Sequence, residues 1–190
     1  MTEKPPYRLK SRKLACENSQ FKVFYDHVEG KNGFEIQDYI TVVPKRRHPG
    51  DITGVAILPV VEGKIALLKI YRHIVEDWSW EIPRGFVEPG EDKTQSATRE
   101  LEEETCLLCE ENSMYSLGYM SPDAGILRAR VNIFSAEKCY FNKAFTPNEL
   151  GHTKLCMFSF SEVLRMADTS EIQDPYTLTA IYRYNRTQNK

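Results

Sequence analysis

The stretch Gly85-Phe86-Val87-Glu88-Pro89-Gly90-Glu91-Asp92-Lys93-Thr94-Gln95-Ser96-Ala97-Thr98-Arg99-Glu100-Leu101-Glu102-Glu103-Glu104-Thr105-Cys106-Leu107 carries most of what the chain can say about itself. A helix is expected to begin at Asp92, because Asp92 followed three residues later by Gln95 fits a capping box. Ala97, Leu101 and Leu108 supply its apolar stripe. On that helix Glu100, Glu103 and Glu104 are related by three and four positions and crowd onto one side. Like charges so placed repel, which makes a poor surface helix. The cluster becomes favourable once a hard divalent cation sits among the oxygens.

The register of these residues resembles the Nudix box, Gly-x5-Glu-x7-Arg-Glu-apolar-x-Glu-Glu-x-Gly-apolar, with Gly85, Glu91, Arg99, Glu100, Leu101, Glu103 and Glu104 in place. The departure is Cys106, which stands where the pattern has glycine. A glycine there would end the helix in a left-handed conformation that a side chain makes costly. The resemblance implies a Nudix-type α/β/α sandwich with a mixed sheet and hydrolysis of a nucleoside diphosphate linked to another group. It implies Glu100, Glu103 and Glu104 as ligands of Mg2+ or Mn2+, with a backbone carbonyl near Arg84 or Gly85. Arg99 is then expected to orient the glutamates through charge-assisted hydrogen bonds. Glu91 would be structural or a more distant metal partner, and Gly85 would let the backbone come close to the metal.

Several features point towards the ADP-ribose pyrophosphatase branch of that family. Tyr71-Arg72-His73 follows an expected strand and is similar to that branch's arginine for substrate phosphate, a role suited to a planar guanidinium. Ser121-Pro122 resembles its marker proline. After it, however, the chain reads Asp123-Ala124-Gly125-Ile126-Leu127-Arg128 rather than the glycine and nearby glutamate often found there. An N-terminal antiparallel β segment, residues 1–46, precedes a Nudix domain at 47–190; the resemblance gives it the task of pairing two subunits and enclosing the base. By that resemblance Glu149, on the turn-like Thr146-Pro147-Asn148-Glu149-Leu150-Gly151, is either the general base or a solvent-exposed loop glutamate, with Glu103 as the alternative base. Glu81 is a fourth acidic group, either a second-metal ligand, as the resemblance implies, or a carboxylate on the solvent side of a strand. Arg84, beside the box, is a candidate for substrate binding. Trp78 and Trp80 either stack on a base or belong to the core. Arg46 and Arg47 either hold phosphate across a dimer interface or are solvated.

The rest of the chain bounds this reading. Its 190 residues suit one ordinary domain with a small appendage, and 41% hydrophobic with 27% charged residues is a globular composition. A formal net charge of −2 gives no electrostatic case for nucleic acid or an anionic membrane. No apolar run approaches the roughly 18 residues of a membrane span, and the first residues lack the apolar core of a signal peptide, so a cytoplasmic protein is expected. Cys16, Cys106, Cys109, Cys139 and Cys156 read as reduced thiols. Cys106 and Cys109 have no second pair to complete a zinc site.

Strand patterning is expected over Phe21–Val28 and Glu35–Val43 around Gly30-Lys31-Asn32-Gly33, after a loose leader over residues 1–12. Pro44 to Gly50 is the candidate boundary. Strands at Asp51–Val61, Lys64–Tyr71, Tyr115–Met120, Arg130–Ala136 and Lys154–Phe160 and helices at Ser161–Ala167 and Pro175–Tyr184 complete the expectation. The reaction expected is hydrolysis of a nucleoside diphosphate-sugar, with ADP-ribose giving AMP and ribose 5-phosphate, in a homodimer. GDP-mannose, another nucleotide sugar, a dinucleotide coenzyme or a nucleoside triphosphate are the alternative substrates. A non-hydrolysing nucleotide-binding module is the alternative of another class.

Overall fold

The computed structural model describes residues 4–46, 48 and 50–188. The chain divides into two compact units, one of residues 1–53 with 121–129 and one of 54–120 with 130–190. Three strands, β1 (Tyr7–Glu17), β2 (Phe21–Gly30) and β3 (Glu35–Pro44), form the sheet of the first unit in the order β1-β2-β3. The hairpin expected from Phe21 to Val43 is therefore present.

The leader expected to be loose is a strand from Tyr7 onward. It pairs antiparallel with β2 from Tyr7 opposite Gly30 to Glu17 opposite Lys22. Every residue of β1 is exposed, so it carries none of the buried-face alternation by which strands are recognised. Cross-strand charge pairs tie it down instead. Arg12 donates through Nε to Asp26 Oδ1 at 2.7 Å and through Nη2 to Oδ2 at 2.6 Å. Arg8 reaches Glu29 at 2.6 Å, and Lys10 reaches Glu35 at 2.7 Å.

The second unit is built on a seven-stranded sheet. Its elements are β4 (Ile52–Val61), β5 (Lys64–Arg72), β6 (Asp77–Glu81), β7 (Arg84–Phe86), β9 (Met114–Met120), β10 (Arg130–Ala136) and β12 (His152–Phe158). The main path runs β12-β5-β4-β10-β9, with β6 beside β5 and β7 beside β4. A small two-stranded sheet pairs β8 (Leu107–Cys109) with β11 (Cys139–Phe141). The helices are α1 (Lys93–Thr105), α2 (Phe160–Asp168) and α3 (Pro175–Gln188).

Ala56, Leu58 and Val60 of β4 join Leu67, Ile82, Ile133, Val163, Met166 and Ile181 in one core that packs the sheet against α2 and α3. Val55 and Ile57, the alternate residues of β4, are also fully buried, as a strand covered on both faces requires.

Helix α1 keeps the capping box read from the sequence: Asp92 accepts from Thr94 N and Gln95 N, and the Gln95 side chain accepts from Asp92 N at 2.8 Å. It ends one residue before Cys106, which adopts the left-handed conformation at φ 59° with its N–H on Glu102 O. Leu108, read as part of the helical stripe, lies instead in β8. Helix α2 starts earlier than expected, because Ser159 and Glu162 form a second capping box that ends the preceding strand at Phe158.

Candidate active site

Glu100 and Glu104 project from α1 and are buried, at 7% and 4% exposure, whereas the Glu103 side chain is half exposed. Room for Glu100 depends on Gly85 in β7, since a Cβ on Gly85 would come within 2.1 Å of the Glu100 carboxylate. Here glycine serves close approach rather than a special φ.

Arg99 is the organising cation of the helix. Its Nη1 donates to Glu100 Oε1 at 2.8 Å and to Glu103 Oε2 at 3.0 Å. Its Nε donates to Glu91 Oε1 at 3.0 Å, and its Nη2 donates to the Phe86 carbonyl at 3.0 Å. Glu91 also accepts from Ser96 Oγ at 2.7 Å. These hydrogen bonds, led by that to Glu91, raise the pKa of Arg99 further above its ordinary range and hold the carboxyl of Glu91 below its own. Glu91 thus ties the turn before α1 to the arginine that aligns the other carboxylates.

Glu104 has much less compensation. Its Oε2 accepts one backbone N–H, from Arg84, at 3.3 Å. Burial, reinforced by Glu149 and Glu100, pushes its pKa from 4.5 up to about 8. At neutral pH the protonated acid is therefore favoured, and ionising it costs about 1.4 kcal/mol. A helix-surface ion pair returns only about 0.5 kcal/mol, so a monovalent neighbour does not make up the difference. Burial likewise raises Glu100, against the pull of Arg99.

Glu149 reaches this cluster from a loop held at both ends. Asn148 Nδ2 donates to the Glu103 carbonyl, and the Tyr71 N–H donates to Gly151 O at 3.0 Å. Gly151 has φ +89°, and a Cβ there would lie 2.6 Å from Tyr71 O, so only glycine lets the loop join β5 this closely. The next residue, His152, opens β12 opposite Ile70. One oxygen each of Glu104 and Glu149 and one ring nitrogen of His152 lie within 4.8 Å of one another.

Beyond this cluster stands a group of arginines. Arg72, at the end of β5, donates through Nε to Glu81 Oε1 at 2.8 Å and through Nη2 to Glu81 Oε2. Arg84 Nη2 lies 2.8 Å from Glu81 Oε2, and Arg84 Nη1 is bonded to Asp174 Oδ1. Asp174 Oδ2 accepts from both N and Oγ1 of Thr177 at 2.8 and 2.7 Å, and the Tyr176 ring lies 4.2 Å from the Arg84 guanidinium. Glu81 is 2% exposed; burial would raise its pKa, but the two arginines prevail and hold it below its ordinary value.

Arg72, Glu81, Arg84, Asp174 and Trp78 help line a cavity of about 500 Å³. Both arginines line it together with Glu81 and Asp174, the acids that fix their orientation. Trp80 lies outside that lining, edge-on to Phe158 at 5.0 Å and against the core. The tryptophan that borders the cavity is Trp78.

A model of the NUDIX domain matches residues 51–179, more than half of the chain. The chain belongs to the Nudix family. It is 32% identical over 137 residues to an ADP-ribose pyrophosphatase of Bacillus subtilis (strain 168), covering 71% of each chain. It is 41% identical over 90 residues to a methanol dehydrogenase activator of Bacillus methanolicus, covering 47% of this chain and 45% of that protein. A solved structure of an ADP compounds hydrolase superposes with a TM-score of 0.80 at 16% identity, over 100% of this chain and 97% of the other. The fold is thus that of the Nudix hydrolases, and the chain is a Nudix hydrolase.

The site residues expected from the Nudix box fall into two groups. Glu100, Glu103, Glu104, Gly85 and Arg99 meet at α1 and β7, and Glu149 joins them from its loop. Glu81 sits with Arg72 and Arg84, so its oxygens face guanidinium groups. Arg46 belongs to the N-terminal unit, and Arg47 lies outside the described residues. Asn148, His152 and Asp174 were not anticipated. The only signal for His152 was its position three residues after Glu149. Asp174 is recognisable only afterwards, as the residue before Pro175 that caps α3.

The donor set fits a divalent ion. Glu100 and Glu104 are both raised by burial, Glu149 brings an oxygen to within 4.8 Å of one of Glu104, and oxygen donors of this kind suit a hard cation.

Proposed function

We propose that this Nudix hydrolase cleaves the diphosphate of a nucleoside diphosphate-sugar with Mg2+ or Mn2+, and that ADP-ribose, giving AMP and ribose 5-phosphate, is its substrate. The observation that carries this reading is the position of Arg84. Its backbone N–H is bonded to Glu104 in the carboxylate cluster while its side chain lines the arginine cavity. A diphosphate bridging the two would meet cation-binding carboxylates on one side and guanidinium groups on the other. The similarity to the Bacillus subtilis ADP-ribose pyrophosphatase supports the choice of sugar nucleotide.

In this reading Glu100, Glu103 and Glu104 hold the ion, helped by a backbone carbonyl near Arg84 or Gly85. When bound, it neutralises phosphate charge and acidifies water. Arg99 fixes the rotamers of Glu100 and Glu103 through the contacts described above. Arg72 and Arg84 take non-bridging phosphate oxygens, and Glu81 and Asp174 hold their planes in place. Trp78 offers a ring face to the base or ribose. Glu149, half exposed on its tethered loop, accepts the proton of the attacking water.

The N-terminal sheet is the proposed homodimer surface. Its edge strand β1 is exposed throughout, and Leu9, Leu14, Tyr25 and Ile40 are each between 45% and 52% exposed.

Product analysis tests the reaction. The purified chain is incubated with Mg2+ and ADP-ribose, GDP-mannose or UDP-glucose. AMP and ribose 5-phosphate are expected from ADP-ribose, and Glu104→Gln is expected to lower kcat by roughly three orders of magnitude with the fold intact. Turnover of another nucleotide sugar alone would discard ADP-ribose and keep the chemistry. Tight binding without products, unchanged by Glu104→Gln, would discard hydrolysis of these substrates.

A further inference from the structure

His152 has no task in the reaction just proposed, yet its surroundings are unusual for an idle side chain. The residue is 7% exposed, and its Nδ1 is buried without a hydrogen-bond partner. Its Nε2 stands 3.7 Å from Glu149 Oε2, too far for a hydrogen bond. Buried polar atoms are nearly always partnered, so an imidazole with no hydrogen bond on either nitrogen, and Nε2 turned to a carboxylate, calls for a partner such as water or an ion.

The backbone enforces this position. The His152 N–H donates to Glu149 O at 3.1 Å, closing a short turn that brings the two side chains together. Gly151 locks the turn against Tyr71, and Asn148 ties it to the end of α1. Three elements thus bring one ring nitrogen and two carboxylate oxygens within 4.8 Å of one another.

Building on the metal-dependent reading above, we infer that Glu104, Glu149 and His152 form a mixed carboxylate–imidazole seat for a first-row divalent transition ion, with His152 as its nitrogen ligand. Mg2+ takes oxygen ligands and water, whereas imidazole suits Fe2+, Ni2+, Cu2+ and Zn2+, and Mn2+, at the start of that row, is the spectroscopic probe of the seat. A nitrogen in the set therefore shifts preference away from Mg2+ at this position. Each residue supplies one atom, so the second oxygen of Glu149 stays available for proton transfer from water.

The rival reading is that the imidazole only packs beside Glu149 and positions it. The two differ in a signal that activity does not report. Mn2+ is titrated into the full-length protein and followed by electron paramagnetic resonance, reading the modulation from a directly bound 14N nucleus. Mn2+ and Mg2+ affinities are measured in parallel.

The expected result is nitrogen modulation in the parent and its loss in His152→Gln. Mn2+ affinity should fall at least about tenfold in that variant while Mg2+ affinity shifts less than about threefold. The exposed His73→Gln should retain the signal. Because the decisive spectrum is read on the parent, the test stands even if His152→Gln does not fold. Mn2+ bound without nitrogen modulation overturns this inference and leaves the hydrolase reading in place. Failure to bind either ion overturns both.

Discussion

Arg99 donates to Glu91, Glu100, Glu103 and the carbonyl of Phe86, which uses the whole fork of the guanidinium. A lysine has the charge but not the planar, divergent donors, so Arg99→Lys should leave the helix folded and release the carboxylates from alignment. The expected outcome is an unchanged far-UV spectrum with kcat about a hundredfold lower, read from steady-state kinetics. Cys106 poses the opposite case, a residue that departs from the expected glycine and yet keeps the glycine's conformation. Cys106→Gly would relieve a left-handed penalty of about 1 kcal/mol. It would also lose a buried side chain worth roughly as much and loosen the unfolded chain. The opposing effects nearly cancel, so Tm should move by only a few degrees with activity retained, as calorimetry beside a kinetic assay would show.

At the scale of elements, β7 and α1 depend on one missing methyl group. Gly85→Ala would drive a Cβ into the Glu100 carboxylate, and that carboxylate is held by Arg99 and cannot simply swing away. Divalent-ion affinity measured by calorimetric titration should fall at least about tenfold. The β1–β2 pair makes a different prediction. Arg12, then Thr41, hold the carboxyl of Asp26 below its ordinary value of 3.8. A depressed carboxylate stabilises the fold above its unfolded pKa, and that stability is lost as pH falls through the lower folded value. Thermal unfolding of the parent should weaken steeply below about pH 4, and Asp26→Asn should flatten that part of the profile. Two short strands place the cysteines, all five of them free as expected: β8 and β11 set Cys109 opposite Cys139, while Cys106 stays buried at the helix end.

At the scale of the molecule, the exposed β1 edge and its apolar residues belong to a three-stranded sheet that lies wholly before the family match, which begins at residue 51. If that sheet joins two copies, Leu9→Glu with Leu14→Glu should convert a dimer to a monomer in sedimentation, at unchanged secondary structure. A parent that sediments as a monomer would remove the dimer from the proposal.

Much of the fold was legible because its signals are local. The capping box of α1, the turn at Gly30-Lys31-Asn32-Gly33 and the apolar strands β4 and β5 follow from neighbours a few residues apart. The spacing of Glu100, Glu103 and Glu104 placed three carboxylates on one helix for the same reason. Strand β1 was missed because charge pairs to β2 hold it, and such pairs leave no periodicity in the sequence. The roles of Glu81 and Trp80 could not be told from spacing either, since they depend on which partner the packed sheet brings: Arg72 and Arg84 for one, Phe158 for the other. The sequence by itself determined the helix, its acidic face and the reaction class. Only the tertiary structure decided what those acids meet, because Asn148, His152 and Asp174 reach the site through long-range contacts that no local pattern encodes.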